Sequence, residues 1–287
     1  TPWEMDWCSV YSARALTLPN YVNGRVLFTG DAAHMLPIFG VRGANTGWQD
    51  AQGLAWRLAF VARGVAPESL LQSYSSERVA AAWEIIDEAG KSTRFMTPPT
   101  RGFRLLRDAV LSLSLSQPFV GPLYHWRTSR PHEYTHSPLN SAGDDNLLFK
   151  TGPGHGAPPQ NIRLGADDYL LDHLGGGFDL LYFTEGPAIP DALQKVVAEI
   201  RLKGVPLRVV AVGAAEPVAG ADLILADADG HFRARYGVRA SGAAYLLRPD
   251  QHICARWMSL DAGRLQSALT TALGGTASTT VSVQKGV

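Results

Sequence analysis

The sequence predicts an α/β fold in two regions, and three observations carry that prediction. Between Arg25 and Arg63 a short apolar run leads into a glycine-bearing turn and then into a helical period. From Phe178 onward, runs rich in β-branched and aromatic residues come in the order strand, helix, strand, then a strand pair and a final helix. Between the two regions the composition shifts to Pro, Gly, Ser and His.

The 287 residues are enough for two domains, and 46% hydrophobic with 18% charged residues is ordinary for a globular chain. Lys+Arg and Asp+Glu are equal at 26 each, so no basic footprint argues for nucleic acid. No apolar run approaches the length of about 18 residues that a membrane span needs. Cys8 and Cys254 stand far apart, which is no disulfide framework and suits a reducing, cytoplasmic setting. The opening Thr1-Pro2-Trp3-Glu4 is neither a signal peptide nor an initiator methionine, so a truncated chain is expected.

Asp6–Ser12 reads as a strand, and so does Val26–Thr29. The second ends at Gly30-Asp31, and a loop with Pro37, Gly40 and Gly43 follows. A helix is expected from about Asn45–Gly47, with Trp48, Ala51, Ala55, Leu58 and Ala62 on one face and Gly64 just past its end. Its N-terminus offers unpaired N–H groups and the positive end of a dipole, which suits an anion or a polarised carbonyl. Gly40 and Gly43 allow close approach of a flat ligand, and Asp31 at a strand end is placed to accept hydrogen bonds from hydroxyls. A second helix is expected over Pro67 to about Phe95, with Trp83, Ile86 and Ala89-Gly90 as core. Pro98-Pro99 ends it, and Arg101–Leu115 forms a third with Phe103, Leu106, Val110 and Leu113 on one face.

Gly30-Asp31-Ala32-Ala33-His34, Pro37, Gly40, Gly43, Asn45, Gly47, Asp50-Ala51 and Leu54-Ala55-Trp56-Arg57-Leu58-Ala59 together resemble the second flavin motif of single-component, FAD-dependent aromatic-ring hydroxylases. Tyr74-x-x-Glu77-Arg78 resembles the segment that follows the flavin helix in that family. Pro37-Ile38-Phe39 is closer to the hydroxyphenylpropionate hydroxylase branch than to relatives with Pro-Pro. The resemblance implies that Gly30 is a cofactor-binding position, that Asp31 holds the ribityl chain of FAD, that Pro37 through Gly40 to Gly43 lies beside the isoalloxazine ring, and that the N–H groups of Gly43, Ala44 and Asn45 face its N1–C2=O edge. It implies NAD(P)H and O2 as co-substrates, a flavin C4a-hydroperoxide as oxidant, and a small phenolic substrate. The Pro37 loop and Arg42 are the candidate catalytic groups; Arg42 meets a substrate carboxylate or the flavin, or is solvated. His34 is either an acid–base group or a loop anchor. Asp50, near the helix start, suits the dipole.

The GxGxxG turn that the family carries near its N-terminus is absent from this chain. A preceding N-terminal half is therefore expected, and the piece alone is expected to be inactive. A non-catalytic binding or dimerisation module is the alternative.

Gln117–Gln160 reads as a connector. It contains His132-Glu133-Tyr134-Thr135-His136, the H-E-x-x-H pattern of zinc hydrolases. Pro131 and Pro138 bracket it and no amphipathic helix surrounds it, so no metal site is expected. The second region reads as helix Tyr169–Leu174, strand Phe178–Phe183, helix Ile189–Lys203, strand Leu207–Val212, strands Ala243–Leu247 and Ile253–Trp257, and helix Asp261–Leu273. That order resembles thioredoxin, but Thr184-Glu185-Gly186-Pro187 stands where CxxC belongs. Gly152-Pro153-Gly154, Leu174-Gly175-Gly176-Gly177-Phe178, Ala226 to Gly230 and Leu247-Arg248-Pro249-Asp250-Gln251 resemble the C-terminal extension of phenol-hydroxylase-type enzymes, which implies a structural module and a homodimer. The expected domains are 1–128 (the C-terminal part of the FAD- and substrate-binding domain), 129–160 (linker), 161–275 (thioredoxin-like) and 276–287 (flexible tail).

Overall fold

The computed structural model describes residues 2–38, 40–124, 131–214 and 217–275. Phe39, residues 129–130 of the expected linker and the expected tail at 276–287 lie outside the described residues. The chain forms two compact units, one from Thr1–Ala51 with Arg78–Arg130, the other from Gln52–Glu77 with Pro131–Val287.

In the first unit, strands β1 (Leu16–Thr17) and β4 (His34–Met35) pair antiparallel. Strands β2 (Val22–Asn23) and β3 (Val26–Leu27) form a hairpin. The expected strand at Val26–Thr29 is thus present but two residues long. A 3₁₀ turn at Gly30–Ala32 follows it. Helix α1 runs Gly43–Ala62 and α2 runs Leu70–Met96; α1 as far as Ala51 and α2 from Arg78 belong to this unit. Helices α3 (Arg101–Ser114) and α4 (Gly121–Tyr124) complete the unit. The Thr100 hydroxyl accepts from Phe103 N at 3.4 Å and caps α3.

Four expectations for these strands and helices need correction. Asp6–Ser12 forms no strand: a strand needs a hydrogen-bonded neighbour, and no described residue pairs with it. The face of α1 that turns inward is not the apolar one. Trp48, Ala51, Ala55, Leu58 and Ala62 are exposed (Trp48 at 75%), whereas Thr46, Asp50, Gly53, Arg57 and Phe60 are buried at the same helical spacing. The buried charges are tolerated because each is paired, a fact that hydrophobic periodicity does not encode. Likewise Trp83 is exposed, and Ala81, Ala82, Ile85 and Ala89 carry the buried side of α2 there. Of the expected α3 face, only Val110 is buried.

The second unit is built on a five-stranded sheet. Its strands are β5 (Phe178–Phe183), β6 (Leu207–Val212), β7 (Leu223–Leu225), β8 (Ala244–Leu247) and β9 (Ile253–Trp257). The order is β7-β6-β5-β8-β9. Strands β5, β6 and β7 run parallel, and β8 and β9 antiparallel. Helix α5 (Asp191–Leu202) makes the β5–β6 crossover, α6 (His231–Tyr236) follows β7, and α7 (Ala262–Ala272) follows β9. This is the predicted order, with β7 and α6 added. The expected helix at Tyr169–Leu174 is a 3₁₀ turn, Leu170–His173.

Side-chain alternation divides the core cleanly. Phe178, Leu180 and Tyr182 join Leu207, Val209 and Ala211 against Leu193, Val197, Leu265 and Leu269. Leu181 and Phe183 join Val210, Val212 and Tyr245 against Phe232 and Tyr236. Every residue of β5 is buried, as expected for a central strand covered on both faces. Cys254 sits inside at 1% exposure, and burial pushes its thiol up to about 12, so it is an inert filler.

Candidate functional site

The candidate site lies in the first unit, where the Gly30–Ala32 turn, the Pro37–Val41 loop and the start of α1 follow one another. Asp50 organises it. Its Oδ2 accepts from Gly30 N at 3.0 Å and contacts His34 Nε2 at 2.7 Å; its Oδ1 accepts from Arg78 Nε at 2.6 Å. Arg78 also donates to the Thr46 carbonyl at 3.2 Å. Asp50, His34 and Arg78 are all buried. Burial would raise the Asp50 carboxyl, but the bonds from His34, Arg78 and Gly30 and the Arg78 charge outweigh it and hold it below the ordinary carboxylate value. His34 therefore ties the turn to α1 and is a loop anchor.

Around this anchor the expected contact groups are open. Asp31 is exposed, and no described residue bonds its carboxylate. The N–H groups of Gly43, Ala44 and Asn45 have no acceptor among the described residues; the first paired one is Thr46 N, to Arg42 O at 2.9 Å. Gly43, Ala44 and Asn45 are exposed, and a Cβ placed on Gly43 would meet nothing within 4 Å. These are the orphan donors of a 20-residue helix, the right partners for a polarised carbonyl or an anion. Asp31 is the right partner for hydroxyls. The residues present thus fit the ribityl and carbonyl edges of a flavin.

The loop between is held in an unusual conformation. Gly40 takes φ 97°, open to glycine, but Val41 takes φ 50°, a region that β-branched residues rarely enter. Such strain, of order 1–3 kcal/mol, persists where the surroundings fix it. Pro37 is buried, whereas Val41 is exposed.

The second unit contains a buried charge network that pattern reading did not assemble. Glu77 receives Arg57 at 2.6 Å and Arg248 at 2.5 Å; Arg248 also reaches Asp250 at 2.8 Å. Trp56 Nε1 donates to Asp250 at 3.0 Å, and the Arg57 guanidinium lies 4.6 Å over the Trp56 ring. Burial alone would push the Glu77 carboxyl up, but Arg248 and Arg57 hold it down at about 2. The segments Tyr74–Arg78 and Arg248–Asp250 were legible as motifs; that Glu77 and Arg248 meet across 171 positions was not.

The H-E-x-x-H pattern is not helical. His132–Tyr134 is irregular, a turn closes from Ser137 N to Tyr134 O, and the ring of buried Tyr134 lies tilted against that of His252, centroids 4.6 Å apart. The two histidines therefore lack the shared helical face the zinc pattern needs. Among the described residues no group of three or more His, Cys, Asp or Glu is placed to hold a metal ion.

Residues 1–89 match the FAD binding domain family. Over 97% of its length the chain is 33% identical to tetracenomycin A2 monooxygenase-dioxygenase of Streptomyces glaucescens, covering 45% of that protein. It is 32% identical, over 94% of its length and 47% of the relative, to 4-methyl-5-nitrocatechol 5-monooxygenase of a Burkholderia species. A ternary complex of aklavinone-11 hydroxylase with FAD and aklavinone matches with a TM-score of 0.64 and 26% identity, over 88% of this chain and 44% of that one. The chain spans about half the length of the curated relatives it matches.

Proposed function

We propose, from a chain that resembles the FAD-dependent aromatic-ring hydroxylases over nearly its whole length, that it is the C-terminal half of such an enzyme and supplies the isoalloxazine side of the flavin site. The observation that carries this reading is that Asp31, on a turn that Asp50 fixes, is exposed and that the N–H groups of Gly43, Ala44 and Asn45, at the start of α1, are open among the described residues. Asp31 accepts from the ribityl hydroxyls. The first turn of α1 receives the N1–C2=O edge and stabilises negative charge there. Gly30 belongs to the cofactor turn, Pro37 and Gly40 shape the loop beside the ring, and Arg42 is the candidate group for a substrate carboxylate or the flavin.

When bound, FAD supplies the oxygen chemistry, with NAD(P)H as reductant, O2 as oxidant and a small phenol as acceptor. The chain's own residues position the ring and keep its site dry. The adenosine diphosphate end requires a glycine-rich βαβ turn. We place that turn in a preceding half that corresponds to the remaining length of the relatives, so this piece alone is inactive. The domains are 1–128, 129–160, 161–275 and 276–287, as read from the sequence.

The test is Asp31→Ala in the protein completed by its GxGxxG half. Asp31 is exposed, so the fold is retained by circular dichroism. FAD affinity falls by about ten- to a hundredfold, the value of one strong hydrogen bond to a charged acceptor. Unchanged affinity would remove Asp31 from the site.

A further inference from the structure

The second unit holds a cleft of about 540 Å³ that the flavin reading does not use. It lies between the end of α1, the end of α5 and the starts of β5 and β6, and Arg63, Arg201 and Arg208 line it together with Gly175-Gly176-Gly177. Asp179 is its acidic member. That carboxylate is already occupied: it accepts from Gly175 N at 2.9 Å and lies 2.7 Å from Arg208 NH2. Arg208 also donates to the His173 carbonyl, and Arg201 pairs with Asp222 outside the lining. Arg63 is exposed, and no described residue bonds its guanidinium. Of the three guanidinium groups in the lining, those of Arg201 and Arg208 are paired with Asp222 and Asp179, and that of Arg63 adds a positive charge with no carboxylate partner among the described residues.

The glycines add open donors. Gly175 and Gly176 take φ 115° and 80°, and a Cβ on Gly177 would come within 2.7 Å of the Pro206 carbonyl, so this turn is restricted to glycine. The N–H groups of Gly176 and Gly177 have no acceptor among the described residues. The adjoining end of α5 does not oppose an anion strongly, because Lys203, Gly204 and Val205 N–H groups already cap its last carbonyls.

We propose that this cleft binds a phosphate-bearing anion. Planar guanidinium forks and open backbone N–H groups are the donors that phosphate oxygens recognise, and a cleft of this size admits a diphosphate or a sugar phosphate.

The experiment is calorimetric titration of the chain at fixed ionic strength with inorganic pyrophosphate, ribose 5-phosphate and benzoate. No flavin is present, so the result is independent of the flavin reading. Saturable one-to-one binding of pyrophosphate is expected. It weakens about tenfold or more in Arg63→Gln, by the loss of one charge-assisted contact, and is unchanged in Arg239→Gln, which lies in a different cleft. Ribose 5-phosphate binding as well as pyrophosphate assigns the site to organic esters, and pyrophosphate binding alone assigns it to the inorganic anion. No saturable binding, equal weakening in both variants, or benzoate binding as well as phosphate overturns the proposal.

Discussion

Asp50 fixes the turn through three partners at once, so its loss removes the carboxylate that buried Arg78 pairs with. Asp50→Ala is expected to cost about 3–5 kcal/mol in a urea titration. Its pH dependence has a definite sign. The folded carboxyl sits below its ordinary value of 3.8, so the contribution is complete above that value and is lost as pH falls toward the folded one. Val41 makes the opposite case. Its φ of 50° is strained for a β-branched residue, so Val41→Gly is expected to raise stability by about 1 kcal/mol in the same assay. A fall in stability would mean that the Val41 side chain, exposed as it is, contributes more than its backbone costs. The residue roles were unevenly legible. The His34 anchor could be read because the Gly30–His34 motif is contiguous. Arg78 could be quoted but not paired, because its partner lies 28 positions away on another helix.

At the scale of elements, strands of the second unit were legible because they are apolar on both faces and bounded by turns. Predicted Phe178–Phe183, Leu207–Val212 and Ile253–Trp257 coincide with β5, β6 and β9. Strand β7 has three residues and α6 six, too short to show a period. Helix α1 was found, but its buried stripe was misread, since the inward positions 46, 50, 53 and 57 carry polar groups or glycine. Caps are the testable local device. Asp261 accepts from Arg264 N at 2.9 Å at the start of α7, whose Leu265 and Leu269 lie in the core. Asp261→Ala is expected to cost about 1 kcal/mol, read as a lowered melting temperature. An unchanged melting temperature would mean that packing alone holds the first turn.

At the scale of the whole molecule, acid is the condition that exposes the buried network. Glu77 is held at about 2 against an ordinary 4.5, so the stability it contributes is full above pH 4.5 and drains away between there and about pH 2. A circular-dichroism titration is expected to show the second unit losing its fold in that interval. Retention of structure below pH 2 would mean that the sheet does not depend on the network.

The central claim is that this chain carries one side of a flavin site and needs the other side to hold the cofactor. The direct measurement is an FAD titration, followed by flavin fluorescence, of the chain alone and of the chain mixed with the polypeptide that carries the GxGxxG half. The account predicts dissociation constants weaker than about 10 μM alone and below about 1 μM in the mixture, a difference of at least 1.4 kcal/mol or so. Sub-micromolar binding by the chain alone, or no gain on adding the second half, would contradict it.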